Sequence, residues 1–315
     1  RIMAIDEGLI DLTPQTVQEK VARGESLAGE DLSTMNLSGL SLIGADFSGA
    51  ILNKVNFSNS DLSKANFNDA NLAQAILTKA RCNDASFINT DLSQLDASEA
   101  NFERAKLDGA DFSKANLERA VFSHAQGVQA NFNEANLSQA NFSQAVLEAA
   151  DFTATGLNQA RFENSELLEA RFAGASGEGL SMKGATLTNI RADGCSFPKG
   201  VFVQIKADGA VFEFANLEAA DFSYASLQKS IFMEANLKQA TLYAADCTTA
   251  NLSSANLVSA NLSAANFFKA NFERANMVSA DLGKSNCFEA EFLEAITAGA
   301  NLSGAILDGS KLKNK

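Results

Sequence analysis

The residue types that most often carry catalysis or bind metal are few here, and none falls in a spacing typical of such a site. His124 is the only histidine, and it follows Phe122 without a pattern that indicates a general base or a metal ligand. The many serines therefore have no base to activate them. Outward aspartates such as Asp46, Asp111 and Asp151 could ligate a cation, but such residues more often solvate a strand. We therefore predict no catalytic centre, no enzyme activity and no cofactor.

The composition of the chain indicates which kinds of partner it could bind and in which compartment it would lie. The chain has 315 residues, a net charge of −13, 46% hydrophobic residues, no Trp, two Tyr and 23 Phe. The negative charge argues against direct binding to nucleic acid or to anionic membranes and favours a basic or polar protein partner. No apolar run approaches the ~20 residues of a membrane span. The first ten residues lack a signal-peptide pattern, which predicts a cytoplasmic protein, with secretion by a signal-less route as the alternative.

A five-residue repeat organises almost the whole chain. Every fifth residue from Leu27 to Leu312 is a repeat centre, usually Leu or Phe, and the 58 centres follow without insertion or deletion. Ala usually stands two residues before the centre, with Asn or Asp between them, as in residues 65–67 and 110–112. The two residues after the centre are mostly small or polar. Such unbroken self-similarity predicts a solenoid.

The period of five distinguishes a strand from a helix. In an α-helix, five steps rotate the centre by about 140°, so no single face would be apolar. In an extended chain, residues two apart share a face. The Ala and the centre therefore point inward, the Asn or Asp points outward, and the next two residues turn a corner. Each pentapeptide is then one side of a coil.

The motif A-(D/N)-(L/F)-x-x, as in residues 70–74, resembles the pentapeptide-repeat family over residues 25–314. The resemblance implies an all-β fold, a right-handed quadrilateral β-helix with four pentapeptides per coil. The 58 repeats would then make about 14.5 coils over residues 25–315, a rod roughly 70 Å long at a strand spacing of ~4.8 Å.

Both ends of the solenoid carry separate expectations. Residues 1–24 precede the repeats, and Thr13-Pro14 predicts an N-cap followed by a capping helix from Pro14 to Arg23. A capping box from Thr16 to Glu19 is an alternative helix start. The C-terminus offers no cap. Either its lysines protect the last strand edge, or that end meets another chain, which would give end-to-end self-association.

Departures from the repeat test the inward and outward assignment. Three centres are small, and their inward partners two residues earlier are large, which keeps the core volume nearly constant. These pairs are Leu95 with Ala97, Ile190 with Ala192, and Ile205 with Ala207. The centres Gly127 and Gly177 have no such compensation, so we expect local pinching or a bulge there.

Charge is distributed unevenly around the coil. Taking every fourth repeat defines a first face from Leu27, a second from Leu32, a third from Leu37 and a fourth from Leu42. Their net charges are −7, −5, −1 and 0. Two adjacent faces therefore carry nearly all of the negative charge, which could serve solubility or binding.

Outward apolar residues are the candidates for contact with a protein partner. They are Val203, Tyr224, Tyr243, Val211, Phe214, Ile231, Met233, Phe268 and Phe288. The first three lie on successive coils of the fourth face, the next four lie in pairs one coil apart on another face, and the last two are stacked on the first face.

Two functions of different classes follow. The first is a non-enzymatic, rigid, acidic scaffold for protein–protein interaction. Residues 22–29 are similar to the segment that leads into such repeats when they are attached to bacterial proteins beside the type VI secretion apparatus. The second is a DNA mimic that occupies DNA gyrase or another topoisomerase, as some family members do. Duplex DNA carries one charge per ~1.7 Å, so a rod of this length would need about 40 charges, which weakens the second function.

Overall fold

The computed structural model of the chain describes residues 12–312. The expectations about a signal sequence in the first ten residues and about the terminal lysines Lys313 and Lys315 lie outside the described residues. Within residues 12–312 the chain forms one short helix, α1, followed by a continuous β-helical solenoid.

Helix α1 spans Pro14–Ala22. The Thr13 side chain accepts the backbone N–H of Thr16 at 3.2 Å, and the Thr16 hydroxyl accepts that of Thr13 at 2.7 Å, a reciprocal capping box. The alternative box from Thr16 to Glu19 was therefore wrong. The helix ends before Gly24, whose φ of +73° suits the left-handed position that follows a helix.

The apolar side of α1 closes the first coil. Val17 is fully buried and belongs to the same core as the repeat centres, and Leu12 and Val21 pack against that core. The first coil is thus shielded from water by side chains of the helix, as a solenoid end requires.

Parallel bridges join each outward residue to the residue twenty positions later, from Asp31 with Ile51 to Asn286 with Ile306. Each coil therefore contains twenty residues, or four pentapeptides, and each side contributes a bridge of one residue. The backbone pairing is regular. The N–H of Phe67 donates to the carbonyl of Ser86 at 2.7 Å, and the N–H of Ser86 donates to the carbonyl of Ala65 at 2.9 Å. All the sheet hydrogen bonds consequently run along the axis of the solenoid.

The corners share one backbone conformation. The second residue after each centre has a positive φ at all 57 corners from Gly29 to Gly309, and 44 of these residues are not glycine. At Lys64, for example, φ is +61° and the N–H of Ala65 donates to Leu62 at 3.0 Å, which defines a type II turn. Non-glycine residues pay a steric cost there, so the stacking of neighbouring coils must hold the corners in place.

The outward Asn and Asp side chains stabilise the corners. The Oδ1 atom of Asp61 accepts the backbone N–H of Ser63 at 3.1 Å, and the same arrangement recurs along the solenoid. Amides also join neighbouring coils: Asn136 donates from Nδ2 to Oδ1 of Asn116 at 3.2 Å. These residues are therefore structural parts of the repeat rather than merely solvated side chains.

The core is made of stacked repeat centres. The rings of Phe102, Phe122, Phe142 and Phe162 form one column with centroids 4.6 to 4.8 Å apart. The three small centres and their large inward partners are all buried, so both positions of the pentapeptide face the core, as the volume exchange predicted.

The two glycine centres are accommodated differently. Of the two expected outcomes, pinching or a bulge, no bulge forms, because the parallel bridges pass both positions without a shift. At Gly127 the Leu147 side chain fills the space, 3.1 Å from where a Cβ would lie. At Gly177 a Cβ would lie 2.5 Å from the carbonyl of Leu157. The coils are therefore pinched at Gly177, and Leu180, an inward residue three positions later, is fully buried.

Candidate interaction surfaces

The residues with reactive side chains lie where the sequence pattern placed them. His124 is an exposed corner residue with a φ of +59°. All four cysteines are buried and unpaired, and burial raises the pKa of Cys82 and Cys247 well above the usual value for a thiol. Within residues 12–312, no three His, Cys, Asp or Glu side chains are grouped so that they could hold a metal ion.

No helix in the described part of the chain is both long and apolar enough to cross a bilayer.

The tyrosine corner, defined by Val203, Tyr224 and Tyr243, lies where the fourth face turns toward the first. Tyr224 is 57% exposed and Tyr243 is 39% exposed, whereas Val203 is half-buried. The two rings meet edge to face, with centroids 5.5 Å apart and planes at 89°. The N–H of Tyr224 donates to the carbonyl of Tyr243 at 2.9 Å, so the rings are carried on directly paired backbone.

The Phe214 patch lies on the second face and contains Val211, Phe214, Ile231 and Met233. Phe214 is 56% exposed, and the other three are half-buried. Val211 bridges Ile231, and the N–H of Phe214 donates to the carbonyl of Met233 at 3.0 Å. The structure thus brings these four residues together on two adjacent coils.

The Phe268–Phe288 pair lies at the corner between the first and second faces. The rings are stacked, with centroids 5.9 Å apart and planes at 8°. Lys269 Nζ lies 5.1 Å from the centre of the Phe268 ring and 3.2 Å from Glu289. Phe268 is half-buried and Phe288 is exposed, so this pair is partly covered by its own charged neighbours.

Two concave features were missed from the sequence. A shallow groove of about 300 Å³ continues from Tyr243 past Ser263, Gly283 and Ser303, because these corner residues are small. A larger depression of about 930 Å³ lies at the C-terminal end, where Phe292 and other residues of the last coils line it. The signal for the groove was present in the sequence as a run of small residues at one corner position.

The C-terminal end of the described solenoid differs from the end that α1 covers. Leu302, Leu307 and Leu312 pack against the core but are only partly buried. Around them, Leu293 and Ile296 are more than half exposed. The last described coil therefore presents apolar surface along the solenoid axis as well as outward.

Acidic and apolar surfaces occupy different parts of the solenoid. The first and second faces carry −12 together, and −10 of this lies before residue 170. All nine candidate contact residues lie after residue 200. The apolar contact surfaces are therefore separated along the axis from the main acidic surface.

Ion pairs connect many charges within and between coils. Sixteen pairs occur among the described residues. Arg104, for example, lies 2.8 Å from Asp84 of the preceding coil, and its hydrogen bond lowers the pKa of that carboxyl. Because these side chains are exposed, each pair adds little to stability. Many carboxylates already have a cation or a turn N–H as partner.

Family models match most of this repeat. The model described as "Pentapeptide repeats (8 copies)" matches residues 31–69, 56–94, 65–104, 157–191, 210–246 and 245–283. A second model, "Pentapeptide repeat region", matches residues 96–172. The fold is that of a β-helical repeat protein, and the chain belongs to the pentapeptide-repeat family.

Several solved structures are similar to this chain. HetL, a pentapeptide repeat protein involved in heterocyst differentiation regulation from Nostoc sp. strain PCC 7120, is 24% identical over 96% of this chain and 95% of its own, with a TM-score of 0.24. Trypsin-treated QnrB1, a plasmid-mediated fluoroquinolone resistance protein, is 18% identical over 58% of this chain and 91% of its own, with a TM-score of 0.46. A pentapeptide repeat protein from the Arabidopsis thaliana thylakoid lumen is 30% identical over 34% of this chain and 68% of its own, with a TM-score of 0.24. No curated protein sequence matches the chain.

Proposed function

We propose that this protein is a non-enzymatic, rigid, acidic scaffold for protein–protein interaction, built as a right-handed quadrilateral β-helix. The observation that carries the proposal is the tyrosine corner. Its two exposed rings are 5.5 Å apart on directly hydrogen-bonded backbone. A partner would therefore meet a preorganised surface, and little conformational entropy would be lost on binding.

Aromatic side chains of this kind often dominate the energy of an interface. Tyr224 and Tyr243 belong to a face without net charge, so a partner can displace water there without stranding many ions. The Phe214 patch and the Phe268–Phe288 pair are further contact surfaces of the same proposal. Three such surfaces on different sides would suit a scaffold that contacts more than one partner.

The test begins with proximity labelling in cells that express the protein, which identifies candidate partners. Binding of each candidate is then confirmed with purified proteins. We expect Tyr224→Ala with Tyr243→Ala to weaken binding of the confirmed partner by more than about 2 kcal/mol, with an unchanged circular dichroism spectrum and melting temperature. His124→Ala, another exposed corner residue outside the three surfaces, is the matched control. Undiminished partner binding by the double variant would exclude the tyrosine corner as the contact.

We also propose end-to-end self-association through the C-terminal depression. Its support is the partly exposed leucine layer formed by Leu302, Leu307 and Leu312, opposite the end that α1 covers. Sedimentation velocity should show a dimer that Leu307→Glu disrupts. A monomer at high micromolar concentration would contradict this contact.

The similarity of residues 22–29 to the segment preceding attached repeats supports a place in a larger, type VI secretion-associated bacterial protein. Copurification with components of that apparatus is the direct test. The alternative function, mimicry of DNA toward gyrase, is favoured by the acidic first and second faces before residue 170. It predicts gyrase binding at micromolar concentration that added salt weakens, and absence of binding at low salt would exclude it.

A further inference from the structure

We propose that the coil of residues 177–196 is a weak joint in the solenoid, and that the chain on either side of it unfolds as two separate cooperative units. The N-terminal unit is residues 12–176 and the C-terminal unit is residues 197–312. In a repeat protein each coil contacts only its neighbours, so stability is close to a sum of local contributions, and cooperativity breaks at the weakest interface. This inference concerns the core and does not depend on what the surfaces bind.

The column of aromatic rings on the fourth face is interrupted at this coil. The rings of Phe142 and Phe162 are stacked with centroids 4.8 Å apart, and stacking resumes between Phe202 and Phe222 at 4.6 Å. Met182 is the centre between the two stacks. The flexible Met side chain fills the space but replaces a ring contact on both of its sides.

The column on the second face is interrupted at the same coil. The rings of Phe152 and Phe172 are stacked at 4.8 Å, and those of Phe212 and Phe232 at 5.0 Å. Ala192 is the centre between them. The large inward residue two positions earlier compensates for volume but supplies no ring. Within the described residues, no stacked ring pair therefore joins this coil to either neighbour.

The third face of the coil differs in its backbone. Gly177 is the centre there, and a Cβ on it would lie 2.5 Å from the carbonyl of Leu157, so no core side chain stands at this position. The N–H of Leu180 does not donate to the Gly177 carbonyl, although the equivalent bond closes every other corner from Leu27 to Ser310 except the one at Leu40. The coil therefore lacks a turn hydrogen bond as well as two rings.

The loss of phenylalanine alone does not define the joint. The centres from Leu237 to Leu262 also lack Phe, but each of them is Leu or Cys above an inward Ala, so the core stays uniform. The corners of the joint are not its weak part either, since Gly179, Gly184 and Gly194 adopt a positive φ without steric cost. The weakness lies in the small centres and the interrupted columns.

The joint divides the two kinds of surface. Of the −12 on the first and second faces, −10 lies before residue 170, and all nine candidate contact residues lie after residue 200. The N-terminal unit therefore carries most of the acidic charge, and the C-terminal unit carries the contact residues. Opening of one unit would leave the surface of the other intact.

Two optical probes of the full chain test the joint by urea unfolding. The protein has two tyrosines and no tryptophan, and both tyrosines lie in the C-terminal unit. Tyrosine fluorescence therefore follows that unit alone, whereas circular dichroism follows both. We expect the fluorescence midpoint to lie at least about 0.5 M lower in urea than the circular dichroism midpoint, because the C-terminal unit has fewer coils among the described residues.

Hydrogen exchange measured by mass spectrometry locates the boundary. Backbone amides of residues 177–196 should exchange at least about tenfold faster than those of residues 137–156, since the latter form the equivalent coil within unbroken ring columns. Both coils lie far from the ends of the described solenoid, so fraying does not enter the comparison.

A repair variant tests the cause. Ile190→Ala with Ala192→Phe gives this pentapeptide the Ala and Phe of its neighbours one coil away on each side, and it restores the second-face column. We expect the two midpoints to converge and exchange in residues 177–196 to slow severalfold. Leu95→Ala with Ala97→Leu is the matched control, because it makes the same kind of exchange in another coil and should leave the two midpoints apart. Circular dichroism without urea should show that both variants are folded.

Coincident midpoints for the unsubstituted protein would overturn the inference, as would equal exchange rates in residues 177–196 and 137–156. Both measurements use the unsubstituted chain, so they decide the matter even if the repair variant does not fold. Convergence of the midpoints in the Leu95 and Ala97 variant would also contradict a weakness specific to this coil.

Discussion

The rings of Phe122 and Phe142 lie parallel in the core, with centroids 4.6 Å apart and planes 2° from each other. The two residues are twenty positions apart in the sequence, so one full coil separates them. The strand spacing of a β-sheet, ~4.8 Å, is close to the stacking distance of aromatic rings. Backbone pairing and ring stacking therefore favour the same rise per coil.

Replacing Phe142 with Ala should destabilise the fold strongly. Phe142 is fully buried and stacks between Phe122 and Phe162, with Phe132 and Phe152 at its edges. We expect a loss of about 3–5 kcal/mol from the transfer and cavity costs, measured by denaturant unfolding. Ser143→Ala, at the adjacent corner, should cost about 1 kcal/mol through its partly exposed hydrogen bonds. Equal losses would contradict the inward assignment of repeat centres.

Glycine should stabilise an exposed corner that holds alanine. Ala154 has a φ of +55° and an exposed side chain, so it pays the steric cost of the left-handed region without a compensating contact. We expect Ala154→Gly to raise the free energy of unfolding by roughly 0.5–1 kcal/mol, net of the greater entropy of the unfolded glycine chain. The buried Ala150→Gly is the control and should destabilise. A lower melting temperature for Ala154→Gly would refute the argument.

A side chain at Gly177 should disrupt the coil stacking. The added Cβ would lie 2.5 Å from both the carbonyl carbon and the oxygen of Leu157, and backbone atoms have little freedom to move. Gly177→Ala should cost at least about 2–3 kcal/mol. Gly174→Ala, at a corner with φ of +64° and open space around the Cβ position, should cost about 1 kcal/mol. Thermal unfolding of both variants gives the comparison.

Stability should fall in acid because aspartates are held ionised in the fold. Hydrogen bonds from Ser26 and Ser48 lower the pKa of Asp46, and those from Thr248 and Gln228 outweigh partial burial at Asp246. A folded-state pKa below the usual value of 3.8 means that this stability is present above about pH 4–5 and is lost as the pH falls through the folded value.

Asp246→Asn tests this pH dependence. The amide oxygen can still accept the turn N–H, but the group no longer titrates, so the loss of stability below pH 4 should be shallower than in the unsubstituted protein. Lys229→Gln, which leaves every carboxyl in place, should leave the slope unchanged. Urea unfolding from pH 7 to pH 2.5 provides the measurement, and an identical slope for Asp246→Asn would argue against a contribution from this carboxyl.

Much of the fold could be predicted because the repeat is local. The inward positions of Leu95 and Ala97 follow from their exchange of size, and the capping helix follows from Thr13, Pro14 and Gly24. The bulge expected at Gly177 could not be judged from the sequence, since it depends on whether Leu157 and Leu180 can occupy the vacant volume. That is a property of neighbouring coils rather than of the pentapeptide itself.

The surfaces were less predictable than the core. The repeat register placed Tyr224 and Tyr243 on adjacent coils, but it did not show the perpendicular rings or the groove beyond Tyr243. Both depend on side-chain rotation and on the small size of Ser263 and Gly283 at the same corner. The role of outward Asn and Asp in closing the turns was also missed, because the hydrogen bond is visible only once the corner geometry is known.

The sequence by itself determined the period, the inward and outward positions and the division of charge among repeats, because these depend on residue type at fixed intervals. The tertiary structure alone decided that 44 non-glycine residues adopt a positive φ. An isolated pentapeptide has little reason to accept that steric cost. The stacked coils impose it, because each corner must leave its N–H and carbonyl groups aligned with those of the coils on either side.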